Sequence, residues 1–95
     1  MNRIPLAAGR VARSTAGRDR GRLFAVTEEI DENFVWAVNG ALRTLDRPKK
    51  KRRKHLKALP YTVDVQAGVS DAALRQALAA IDQQEEGNRK CPNPT

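Results

Sequence analysis

A mainly β fold, a small five-stranded barrel accompanied by one C-terminal α-helix, follows from three observations. Short β-favouring runs separated by glycine or polar turns crowd the first two thirds of the chain. One pattern of helical period stands near its end, and 95 residues suffice for a single domain only. A barrel suits so many short strands better than a sandwich, because closure removes edges that a small sheet cannot otherwise protect.

The elements follow in order. Residues 1–8 form an N-terminal lead-in. Residues 1–18 carry four arginines and no acid, as a transit peptide would, but Pro5, Gly9 and Gly17 would interrupt the amphipathic helix required. The segment is therefore expected to belong to the mature fold. Residues 9–14 (GRVARS) and 23–30 (LFAVTEEI) read as strands flanking the glycine-containing stretch 15–21. Asp31, Glu32 and Asn33 supply a short hairpin loop, and residues 34–38 (FVWAV) make the strongest strand. Asn39-Gly40 fits a type I′ turn, with residues 41–45 (ALRTL) returning as the partner strand. A last strand is expected over residues 55–59, closed by Pro60. The barrel thus spans residues 9–62.

The helix is assigned to residues 69–87. Ser70 is a good N-cap, Val69 and Leu74 stand in the staple relation, and Leu74, Ala77, Leu78 and Ile81 share one face. Gly87 is the expected stop, and residues 88–95 the expected flexible tail.

Composition narrows the function. Twenty of the residues are Leu, Ile, Val or Phe, enough for a small core. One cysteine and one histidine exclude an internal disulfide and a zinc cluster, and no apolar run approaches a membrane span. The net charge of +7 is segregated: +5 over residues 1–24, −4 over 25–46, +8 over 47–59 and −2 over 60–95. Two basic stretches flanking an acidic one predict a polyanion-binding face, if folding brings them together.

Catalytic constellations are missing. His55 is the only histidine, Ser14 and Ser70 have no evident partner, and neither a Walker A sequence nor GxGxxG occurs. No cofactor is implied. The acidic group Glu28, Glu29, Asp31 and Glu32 is read as a hairpin that repels a polyanion or pairs with the basic stretch.

Two clusters remain. Gly17, Arg18, Asp19, Arg20, Gly21 and Arg22 form a loop in which glycines permit positive φ and guanidinium groups offer planar, bidentate phosphate donors. Asp19 is expected to fold back on local amides or to orient an arginine. Lys49, Lys50, Lys51, Arg52, Arg53 and Lys54, followed by His55, form the second. Mutual repulsion predicts a loosely held arm until a polyanion neutralises it. A solvated loop or a nuclear import signal would read the same.

The strand, the Gly-basic-Asp-basic-Gly-basic loop and the second strand resemble the KOW motif. Together with Leu42-Arg43, the Pro-Lys-Lys-Lys run and Leu74-Arg75-Gln76-Ala77-Leu78, they make residues 6–86 similar to KOW-domain RNA-binding proteins and to the "fourteen-e" large-subunit ribosomal proteins. The resemblance implies an SH3-like barrel that binds RNA, ribosomal RNA first, without catalysis. It also implies a cytoplasmic, ribosome-associated protein, monomeric when free. RNA contact is expected from Arg10 and Arg13 (one at most joining the loop directly), the loop 17–22 and the run 49–55. Trp36 and Phe24 are expected in the core, while Phe34 and Tyr61 are candidates for exposure, where a base could stack. A protein-interaction module docking on ribosomal proteins or RNA polymerase is the alternative, and a DNA-associated protein a third possibility.

Overall fold

The structure, a computed structural model, describes residues 4–66 and 68–90. Five strands form one antiparallel sheet: β1 (Arg10–Ser14), β2 (Leu23–Glu29), β3 (Phe34–Val38), β4 (Lys49–Arg52) and β5 (Leu56–Thr62). Their order is β4-β3-β2-β1-β5. A 3-10 turn, Arg53–His55, joins β4 to β5, and α1 (Asp71–Lys90) follows. The mainly β class with a single helix is as expected. The sheet curls strongly, because Lys51 on β4 reaches Ser14 on β1 across two intervening strands, with Nζ donating to Oγ at 3.2 Å. In a flat sheet those strands would lie about 14 Å apart. The ladder does not close, however, and β4 and β5 remain edges.

Apolar side chains pack on both faces. Leu6, Ala12, Val26, Val35 and Leu56 cluster on one, so part of the lead-in belongs to the core. On the other, Val11, Leu23, Ala25, Val38 and Leu59 lie under Leu74 and Leu78 of α1. Ser70 caps the helix as expected, its Oγ accepting from the Ala73 N–H at 3.0 Å. Gly87 does not stop it: α1 continues to Lys90. Interior glycine costs a helix only about 1 kcal/mol and terminates it only where the chain turns left-handed. Residues 91–95 of the expected tail lie outside the described residues.

Three departures reshape the sheet. Residues 41–45 are not a strand, and the partner of β3 is the lysine strand β4, with Phe34 opposite Arg52 and Trp36 opposite Lys50. A type I′ turn needs positive φ at both central residues, and only Gly40 has it. Asn39 instead turns its Oδ1 onto the N–H groups of Ala41 and Arg43, both at 3.0 Å, folding residues 39–47 into a loop. That loop is tied to the helix start: Asp71 Oδ1 accepts from the Leu45 N–H at 2.7 Å, and Arg75 Nη1 donates to the Gly40 carbonyl at 2.8 Å.

Pro60 does not end β5 but lies inside it, where Ala12 opposes Ala58 and Arg10 opposes Thr62. The strand carries two extra residues between those pairs. An exposed proline on an edge strand, within such a bulge, removes no ladder bond. The aromatics depart as well. Phe24 is fully buried, but Trp36 is half-buried beside Leu45, Pro48 and Val65 instead of in the core. Residues two apart share a strand face, so Phe34 and Trp36 lie together opposite buried Val35 and Ala37. Tyr61 packs against the cluster under the helix. Desolvation, and after it the neighbouring Glu85 carboxylate, push its phenol above the ordinary range.

Gly40 lies against the first turn of the helix. A Cβ there would sit 2.5 Å from the Asp71 carbonyl oxygen and 3.0 Å from the Arg75 nitrogen, at φ +78°. Gly40→Ala combines left-handed strain with overpacking, and is expected to cost about 2 kcal/mol. The measurement is the urea midpoint. An unchanged midpoint would mean that the helix does not bear on this turn.

Candidate nucleic-acid interface

Residues 15–22 join β1 to β2 in a tight fold. Ser14 donates its N–H to the Arg22 carbonyl and accepts from the Gly21 N–H through its own, while Arg22 N–H bonds the Asp19 carbonyl at 2.9 Å. Gly17 and Gly21 take φ of +76° and +89°, as a loop of this tightness requires. No heavy atom lies within 4 Å of where a Cβ would stand at either, so both glycines open onto free space. Arg18, Arg20 and Arg22 are exposed.

The Asp19 carboxylate turns away from the local amides. Its Oδ2 lies 3.4 Å from Lys49 Nζ and 3.3 Å from Lys51 Nζ, two positions on β4 that share a strand face. Burial works to raise the Asp19 pKa, but hydrogen bonding and charge attraction from Lys51, then Lys49, outweigh it and hold the carboxyl below its ordinary value. Lys51 is only 7% exposed and also lies 4.6 Å from the Phe24 ring centroid. A backbone bond from the Thr15 N–H to the His55 carbonyl, 2.9 Å, fixes the other end of the loop against the 3-10 turn. The two basic stretches therefore meet side by side.

This ion pairing explains why residues 49–55 form a strand and a turn and not a loose arm. Alternation sends Lys49 and Lys51 to Asp19, while Lys50 and Arg52 emerge on the opposite face around Phe34. Their charged groups lie 4.5 and 5.3 Å from its ring centroid, within cation–π range. Lysines on an edge strand also discourage pairing with another chain. Arg53 donates to Glu29 Oε1 at 2.9 Å and to the Asp31 carbonyl at 2.8 Å, so the acidic hairpin does pair with the basic stretch.

The predicted contact residues fall into two groups. Arg18, Arg20, Arg22, Lys50, Arg52 and Lys54 are exposed, and His55 is half-buried at the head of β5. Arg10, Arg13, Lys49, Lys51 and Arg53 are held by intramolecular partners. Arg10 donates to the carbonyls of Pro5, Leu59 and Tyr61, two of them at the β5 bulge. Arg13 bridges the Gly21 carbonyl at 2.7 Å and Asp82 of α1 at 3.1 Å. Sequence reasoning missed the lysine partners of Asp19. The one available signal was a lone acid among six arginines, set between two glycines.

No protein-family model matches the chain. Curated relatives do. The chain is 36% identical over 70 residues to the large ribosomal subunit protein eL14 of Aeropyrum pernix, covering 74% of this chain and 70% of that one. Against eL14 of Staphylothermus marinus it is 32% identical over 71 residues, 75% and 74% of the two chains. The chain belongs to the eL14 family. The eL14 of Hyperthermus butylicus agrees, at 35% identity over 72 residues. Membership of this ribosomal-protein family accords with the KOW resemblance and with a non-catalytic protein. In this eL14-family chain the described residues hold no group of three or more His, Cys, Asp or Glu placed to bind a metal. No described helix is long and apolar enough to cross a membrane.

Proposed function

We propose that this protein binds ribosomal RNA in association with the large subunit, in the cytoplasm, through the face that residues 15–22 share with residues 49–55. The observation that carries the reading is the Asp19 bridge, which holds the exposed arginine loop beside the basic edge strand. Arg18, Arg20, Arg22 and Lys54 are exposed, and Lys50 and Arg52 add two exposed cations from the other face of the edge strand, around Phe34, six in all. Exposed guanidinium and ammonium groups fix the position of a phosphate backbone and carry no base identity. The reading therefore favours structured RNA recognised by shape, since the deep groove of an RNA helix is closed to side chains. Arg10, Arg13 and Arg53 serve it indirectly, by holding β5, the helix and the acidic hairpin in place.

Neutralising six phosphates sets the slope of log affinity against log salt at about −4 to −5. A titration of the protein against large-subunit ribosomal RNA between 50 and 200 mM salt is expected to show an affinity loss of about a thousandfold. A nearly flat salt dependence would overturn the phosphate-binding face.

A further inference from the structure

Along the unpaired edge of β4 runs an open cleft of about 280 Å³, lined by Ala16, Gly17, Phe34, the basic strand and His55. We infer that this cleft receives one unstacked nucleotide of a single-stranded RNA segment, its base on the Phe34 ring and its phosphate on Lys50 and Arg52. The inference rests on the RNA-binding reading and adds a ligand class that phosphate contact alone does not require.

Two features carry it. The first is the spacing of charge and aromatic surface. Lys50 Nζ and Arg52 Cζ lie 4.5 and 5.3 Å from the Phe34 centroid. A nucleotide likewise presents an anion and a flat ring one sugar apart, so a phosphate bound by these cations brings its base within reach of the ring. Both side chains are exposed and flexible enough to move from the ring onto the phosphate while remaining beside it. The second is shape. The cleft volume falls just below the usual range for small-molecule sites, room for a single nucleotide within it. At its wall, the position of a Cβ on Gly17 opens onto empty space, leaving a backbone that a sugar or phosphate can approach. Phe34 is half-buried, so the ring is held rigid by its strand yet keeps an accessible part. An aromatic beside cations takes any base, because every base has a π-face.

The test compares three probes: a pentamer of adenylate, an abasic pentamer with the same number of phosphates, and a blunt RNA duplex. The native protein is expected to prefer the adenylate pentamer over the abasic one by about 5- to 150-fold. Phe34→Leu should abolish that preference, and Phe34→Tyr should retain it. Equal binding of the two pentamers by the native protein, with the duplex still bound, overturns the nucleotide cleft and leaves the phosphate-binding face standing. A preference that survives in Phe34→Leu overturns it too, placing the base elsewhere. Failure of all three probes to bind removes both readings. The pentamer comparison needs no variant, so a folding defect in Phe34→Leu cannot shelter the proposal.

Discussion

Replacing Arg18, Arg20 and Arg22 together by glutamate is expected to lower affinity for ribosomal RNA by about a thousandfold or more. Each exposed guanidinium on a phosphate makes a charge-assisted hydrogen bond worth about 1.5 kcal/mol or more, so three contribute over 4 kcal/mol before repulsion is added. The reversal also takes the net charge from +7 to +1, because each substitution removes one positive charge and adds one negative. The fold should survive. All three side chains are exposed, and none is hydrogen-bonded to another described side chain or to the described backbone through its guanidinium. Surface substitutions of this kind change stability by about 0.5 kcal/mol or less each. The decisive comparison is therefore binding against melting temperature in one preparation. An affinity within threefold of the native protein, with an unchanged melt, would take the loop out of the interface.

Much of the fold was legible where local signals agree. The strands β2 and β3 lie where β-branched and aromatic residues concentrate, β1 lies between a leading glycine and the turn-forming stretch after it, and α1 begins where a hydroxyl cap precedes a 3.6-residue apolar repeat. Three of the failures share a cause, because each was decided by a residue far away in the chain. Asn39-Gly40 looks locally like a hairpin turn, yet the helix claims the following loop through Asp71 and Arg75. Lys49 to Arg52 look locally like a self-repelling arm, yet an aspartate 30 residues earlier and a phenylalanine on β3 give alternate cations a partner. Pro60 looks like a strand end, and a bulge filled by the Arg10 guanidinium accommodates it. The candidate site was legible as two charged clusters expected on one face, but what brings them together was not. What joins them is a single carboxylate whose partners lie on another strand.

That carboxylate makes the second large prediction. Asp19→Asn keeps the shape of the side chain but leaves Lys51, 93% inaccessible, with no counter-charge. Breaking a buried pair from one side costs about 3 kcal/mol or more, because the remaining ion stays desolvated. For a domain of this size that corresponds to a fall in Tm of about 12–24 °C. Acid should reproduce the effect in the native protein. The folded pKa of Asp19 lies below the unfolded value of about 3.9, so its contribution is complete above that pH and disappears as pH falls through the folded value. Asp19→Asn should correspondingly flatten the acid limb of the stability profile. Adding Lys51→Met removes the stranded charge and should restore most of the lost Tm, since an apolar replacement of a buried pair is often neutral. RNA affinity separates the two jobs of the pair. Lys51 is too buried to be a phosphate ligand itself, so the double variant tests position alone: refolded but unpinned, the arginine loop should bind about tenfold more weakly, the order of one lost phosphate contact. If the restored protein binds RNA as tightly as the native one, the bridge stabilises the fold without aligning the interface, and the two basic stretches act independently.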